Sequence, residues 1–231
     1  MAAKSEARTP QAEGEADISA AAALMADPSR AAVLVELTDG RALPPSELAE
    51  IAGVSRSTMS GHLAKLQQAG FLAVERGGRN RYYRLSGPQV AAAVEALAAL
   101  APRTEVRSLR QANRAGALGA ACTCYGHLAG ELGVGITDAL VEHGYVEREA
   151  DVFLLTDAGA SFMHDLGVAK PPRAGKARND WSERRPHLAG KLGVALASRL
   201  FELDWIRRTE RRRAVEVTPL GERELGTRLG V

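Results

Sequence analysis

The chain has 231 residues and 24.5 kDa, with 45% hydrophobic and 25% charged side chains and a formal net charge of +2, which suits a packed core without disulfide staples. Its apolar runs stay below the roughly 18 residues of a membrane helix, and its two cysteines, Cys122 and Cys124, are too close in sequence to staple distant segments. A membrane protein and a disulfide-built secreted domain are thereby excluded.

Residues 1–16 alternate charges with small side chains and lack the apolar block of a signal peptide, which predicts a disordered tail and a cytoplasmic location. Ile18, Ala22 and Met25 then follow a helical spacing that stops at Asp27-Pro28-Ser29. Asp27 suits an N-cap and Pro28 the first position of a second helix, which carries Val33, Leu34 and Leu37 and ends at Asp39-Gly40. A third helix opens near Pro45 and stops at Gly53; Ser55 caps a fourth, in which Met59, Leu63 and Leu66 form the apolar stripe before Gly70. The short turn between the third and fourth helices makes a helix-turn-helix. Residues 71–85 alternate in polarity around the basic turn RGGRN, which predicts a β-hairpin placed as a wing.

The strings ADPSRAAVLVEL, SELAEIAGVSRSTMSGHLAKLQQAGFL and GRNRYYRL resemble the ArsR-type winged helix-turn-helix transcriptional regulators over residues 17–101. The resemblance implies a homodimer that binds double-stranded operator DNA and responds to an effector. Metalloid-sensing members keep paired cysteines where this chain has ELAEIA at 47–52, and zinc-sensing members use Asp and His on the last helix of the module. Residues 88–101 have neither, so no metal site is carried over.

Residues 54–84 hold six basic side chains against the single acid Glu75, a local surplus that the near-neutral total conceals. With Met59, Leu63 and Leu66 turned inward, Arg56, Ser57, Ser60, Gly61 and Lys65 face outward on the fourth helix, where they suit a major groove. Ser55 and Lys65 sit at its ends as phosphate contacts, and Arg76, Arg79 and Arg81 put charge on the wing for phosphate or a minor groove. The alanine-rich stretch 88–101 needs cover, either from the core of its own chain or, as the resemblance implies, together with the first helix as a dimer surface that would set two recognition helices about 34 Å apart.

The second half contains a repeat: HLAGELGV at 127–134 and HLAGKLGV at 187–194 share seven of eight residues at a spacing of 60. Strings of the type CYxHLAGxLG and DWxERRPHLAG are similar to those of longer ArsR-type proteins. The expected fold is mainly α with small β-hairpins. After the tail and the 17–101 module come a connecting helix at 102–122, a first winged-helix-like repeat at 123–169, a linker at 170–183 and a second repeat at 184–231, each repeat running helix, helix, hairpin, helix. The run RRTERRR at 207–213 reads as a solvated hairpin.

CTCYGH brings Cys122, Cys124 and His127 together, with His187 as the counterpart of His127 in the second repeat. These residues suit a soft metal, a metalloid, haem iron, a redox-sensing thiol pair, or a structural role for the two histidines. An enzyme with Cys124 as nucleophile and His127 as base lacks any accompanying oxyanion, phosphate-loop or hydrolase motif, so no catalytic residues are assigned. The functional expectation is a sequence-specific regulator, a homodimeric repressor tuned by a small-molecule, haem or soft-metal effector in the second half. A DNA-architectural protein without an effector and a thiol-redox or soft-metal sensor are the alternatives.

Overall fold

The computed structural model describes residues 15–102, 105–210 and 213–231. The expected disordered tail falls almost entirely outside them.

Helix α1 (Ile18–Met25) starts at Asp17, whose carboxylate accepts from the backbone N–H of Ser19 and Ala20 at 3.0 and 3.2 Å. Helix α2 (Pro28–Glu36) starts at Asp27, which accepts from the Arg30 N–H at 2.9 Å, with Pro28 at the first helical position. A 3-10 turn (Leu37–Asp39) closes on Gly40. Helix α3 (Pro45–Ala52) ends at Gly53 in the left-handed conformation, φ 65°, and α4 (Arg56–Gln68) follows after Ser55. Strands β1 (Leu72–Gly77) and β2 (Asn80–Leu85) pair antiparallel from Leu72↔Leu85 to Gly77↔Asn80, and α5 (Pro88–Leu100) completes the module. Val33, Leu34, Leu48, Met59, Leu63, Leu66, Leu72 and Leu85 share one core, which fixes α4 and the wing on a common rigid base.

The second half opens with α6 (Leu109–Ala120), then β3 (Cys122–Cys124), β4 (His127–Ala129), α7 (Gly130–Glu142), β5 (Val146–Glu149), β6 (Val152–Leu155) and α8 (Asp157–Asp165). It continues with β7 (Ala174–Asn179), β8 (Pro186–Ala189), α9 (Gly190–Glu202), β9 (Ile206–Arg208), β10 (Val215–Val217) and α10 (Pro219–Leu229). Their apolar faces, including Leu140, Phe153, Leu192, Leu200 and Leu225, form a second core.

Three expectations are corrected. The stretch 170–183, read from its Pro and Lys/Arg content as a linker, contains β7, which pairs with β6 on one side and β8 on the other. The sheet order β5-β6-β7-β8 therefore joins the two segments through one four-stranded sheet, where separate small hairpins were expected. Each HLAG string begins as an extended strand, not as a helix: Gly130 and Gly190, at φ 77° and 73°, turn the chain from strand into α7 and α9. Finally, the 207–213 run is only partly solvated; Arg207 pairs with Glu216, Arg208 lies over the Phe201 ring, Arg213 is buried, and residues 211 and 212 lie outside the described residues.

Candidate nucleic-acid interface and a buried polar cluster

On α4, Met59, Leu63 and Leu66 are buried while Arg56, Ser57, Ser60, Gly61 and Lys65 are exposed, as a 3.6-residue period dictates. Ser55 is exposed but its hydroxyl is engaged: it accepts from the Thr58 N–H at 3.1 Å and lies 2.8 Å from the Ser57 hydroxyl. Half-buried His62 sits 3.9 Å from Asp27, the cap of α2, so it braces α4 from behind. In the wing, Arg76 and Arg81 are direct cross-strand partners and Arg79 occupies the turn. Like charges placed opposite each other weaken a hairpin. Arg56, Lys65, Arg76, Arg79 and Arg81 have no carboxylate partner among the described residues, whereas neighbouring Arg84 pairs with Glu75 and Arg30 with Asp27. The five unpaired cations, exposed on a recognition helix and its wing, form a surface suited to phosphate.

CTCYGH is a tight hairpin. Tyr125 and Gly126 both have positive φ, 47° and 85°, the mirror-image turn that matches strand twist, so Cys124 and His127 face each other across the ladder. The hairpin tip docks on the winged module through a hydrogen bond from the Tyr125 N–H to the Thr38 carbonyl. There the His127 Nε2 lies 3.0 Å from the His187 Nε2 and 3.5 Å from the Glu95 Oε1 of α5, and the Cys124 thiol contacts the same carboxyl group. Ligand atoms of Glu95, Cys124 and His127 all fall within 4.8 Å of one another. Arg178 lies 4.0 Å from the other Glu95 oxygen, and Asp180 Oδ2 accepts from the Gly130 N–H at 2.7 Å while lying 3.8 Å from His187 Nδ1.

Burial sets the protonation of this cluster. It pushes the Cys122 thiol up to about 11 and the Cys124 thiol well above its usual range, raises the Glu95 carboxyl, and drives His127 down to about 3 and His187 to about 4. Asp180 is burdened by burial too, but hydrogen bonds from Ser182, Gly130 and Glu183 hold its carboxyl below the ordinary value. Protonated buried thiols are poor redox sensors and poor nucleophiles. Cys122 and Cys124 also sit two steps along one strand, about 6.6 Å apart by strand rise, at the upper end of what a disulfide spans; both are free. Glu95 was missed as a site residue, although it is the sole charged side chain in the apolar stretch 88–101.

A helix-turn-helix whose second helix presents unpaired cations beside a basic wing defines a DNA-binding protein of the winged-helix class. Comparison with known proteins makes this specific. A family model described as a helix-turn-helix domain matches residues 25–75. The HTH-type transcriptional regulator YdfF of Bacillus subtilis strain 168, itself uncharacterized, is 40% identical over 212 residues, covering 89% of this chain and 94% of YdfF. The HTH-type transcriptional regulator CmtR of Mycobacterium tuberculosis H37Rv is 37% identical over 70 residues, 30% of this chain and 58% of CmtR. Among solved structures, reduced HlyU from Vibrio cholerae aligns with 29% identity and a TM-score of 0.34, over 37% of this chain and 88% of HlyU. The chain belongs to the HTH-type transcriptional regulators, and it is a DNA-binding regulator of transcription. No single helix among the described residues is long and apolar enough to cross a membrane.

Proposed function

We propose that the chain acts as a homodimeric, cytoplasmic repressor whose operator affinity is set by an effector bound in the second half. In this reading Arg56, Ser57 and Ser60 read base edges and Gly61 lets the helix backbone approach the DNA closely, while Ser55, Lys65, Arg76, Arg79 and Arg81 hold phosphate or a minor groove. The dimer reading draws on α1, which buries no residue within its own chain, and on exposed Ile18, Leu97 and Leu100 at 79%, 50% and 83%. Such an apolar face on α1 and α5 suits a second copy. The observation that carries the effector reading is the seam: Glu95 of α5 belongs to the same buried cluster as His127 and His187, so a ligand there acts directly on the helix assigned to dimerisation.

We also infer that the second half is two copies of one unit, strand–strand–helix–hairpin–helix. Support comes from matched details. Thr156 caps α8 by accepting from the Gly159 N–H and donates to the Gly144 carbonyl at 2.7 Å; Thr218 caps α10 by accepting from the Gly221 N–H and donates to the Asp204 carbonyl at 2.6 Å. A Cβ on Gly159 or on Gly221 would lie 1.9 Å from the carbonyl of Tyr145 or of Trp205, respectively.

The test is fluorescence anisotropy with the DNA upstream of the protein's own gene, against scrambled competitor, with purified protein of known oligomeric state. Tight, sequence-selective binding by a dimer supports the proposal. Sequence-blind binding with a steep salt dependence would replace it with the architectural reading.

A further inference from the structure

We propose that Glu95, Cys124 and His127, joined by His187, bind a divalent d-block cation of the zinc type in the seam between α5 and the β3–β4 hairpin. That this cation is the effector rests on the function proposed above; the binding itself does not.

Four observations support it. The first is spacing: ligand atoms held at about 2.0–2.3 Å around a tetrahedral ion lie about 3.3–3.6 Å from one another, and the cluster already shows 3.0 Å between the two histidine Nε2 atoms and 3.5 Å between His127 and Glu95. A small outward shift of the rings admits the ion. The second is donor chemistry. One thiol, one carboxylate and two imidazoles form a mixed S/O/N set that matches a borderline cation, and thiolate plus carboxylate neutralise its charge of two in a buried place.

The third is the pair of polar atoms that the metal-free protein leaves without partners, Glu95 Oε1 and His187 Nδ1. The His127 Nε2 faces both the His187 Nε2 and the Glu95 Oε1, and two neutral rings that meet Nε2 to Nε2 share a single proton. With that proton on the His187 Nε2, the bare His187 Nδ1 faces the Asp180 carboxylate at 3.8 Å. With a cation between the rings, the proton of His187 moves to Nδ1, where Asp180 accepts it, and Glu95 Oε1 gains the ion. A carboxylate behind a ligating histidine is the usual outer support of such sites. The Cys124 proton leaves to solvent. The fourth is access: Glu95 and His127 line a cavity of about 530 Å³ together with Tyr125, Lys191 and Arg178. Haem fits less well, because two imidazole nitrogens 3.0 Å apart leave no gap for a macrocycle bound at either Nε2. Cys122 and His187 both lie outside the group of three whose ligand atoms fall within 4.8 Å of one another; His187 joins it through the 3.0 Å approach of its Nε2 to that of His127.

The experiment is an anaerobic Co(II) titration of the metal-free full-length chain, followed by Zn(II) competition. Wild type is expected to take up one Co(II) per chain with intense visible bands of tetrahedral coordination and a near-ultraviolet thiolate band. Cys124→Ser should lose the thiolate band, Glu95→Gln and His187→Ala should weaken binding at least about tenfold, and Asp180→Asn about 10- to 100-fold. Cys122→Ser should keep the wild-type spectrum, with circular dichroism confirming that each variant is folded. A wild type without the thiolate band, or a band that survives in Cys124→Ser and vanishes in Cys122→Ser, overturns the site. Operator anisotropy on the same samples separates the two proposals. An affinity change of about tenfold or more on loading supports the effector role, and no change removes it. Failure to select the operator with or without metal sinks the regulator reading while leaving the site standing.

Discussion

The cross-strand pair Arg76↔Arg81 makes the wing a test of what its charge is for. Arg81→Thr removes one member of a like-charged pair and installs a residue that favours strands, so the urea midpoint should rise. DNA binding should move the other way. Each phosphate contact contributes about 0.9 to the slope of log K against log salt, and a dimer loses two such contacts, so the slope becomes shallower by about 1.8. Over a fourfold salt increase, from about 50 to 200 mM, the variant therefore loses about 12-fold less affinity than wild type. Anisotropy at four salt concentrations, paired with urea denaturation, reads both effects. A charge kept only for solubility would give the stability gain with no change of slope, and that result would refute the assignment of Arg81 to DNA.

Leu97→Glu places a charge on the exposed apolar face of α5 and should shift sedimentation from dimer to monomer with the helical signal intact; an unchanged dimer would move the interface elsewhere. Gly61→Ala has nothing within 4 Å of its added Cβ and lies inside α4, so Tm should rise by an amount equivalent to about 0.5–1 kcal/mol, while operator affinity falls because the methyl occupies the approach to DNA; unaltered affinity would clear Gly61 of that role. His127 and His187, depressed to about 3 and about 4 from an ordinary 6.5, accept protons in the unfolded chain at pH values where the folded chain refuses them. Their stabilisation is therefore full above pH 6.5 and is lost as pH falls toward 4. The raised Glu95 carboxyl acts in the opposite sense, favouring the folded state at low pH. In chelator, His187→Gln should flatten the fall of the urea midpoint between pH 6.5 and 4, and an unaltered pH profile would show that these rings titrate normally.

Local signals made the winged module readable. Asp27 with Pro28, Gly53 and Ser55 each mark a helix end through their own backbone and side-chain chemistry, and the observed caps sit on those residues. The second half was harder because its decisive features are contacts between distant segments. The stretch 170–183 carries linker composition, yet β7 pairs with β6 and β8 on either side, and no local property of AGKARN announces those partners. Each repeat was expected to open on a helix, and only the left-handed Gly130 reveals that a strand stops there and the helix begins. Cys124 and His127 stood out from their spacing, but Glu95 lies 29 positions before Cys124, and its one visible signal was a carboxylate alone in an alanine-rich helix.

The meeting of two neutral histidines in a core follows from the repeat proposed above. If two copies of one unit pack about a local twofold axis, a residue near that axis meets its own counterpart, and His127 and His187 occupy equivalent places in HLAGELGV and HLAGKLGV. Two imidazoles share one N–H without leaving a charge buried, so the contact is tolerable before any ligand arrives. The surroundings of the pair are unequal. The first unit supplies Cys124 from a two-residue turn, whereas the second replaces that tight hairpin with the longer Asp180–Arg185 connection, whose Asp180 turns inward to the Gly130 N–H and toward His187. Only the first unit's histidine lies against α5, through Glu95. On the proposals above, a duplicated scaffold would carry one asymmetric site, with its thiol, carboxylate and outer support on three different segments, one of which belongs to the winged module. If an ion bound there favours one placement of α5 against the second half over another, that difference in affinity is the free energy by which the second half would bias the winged module.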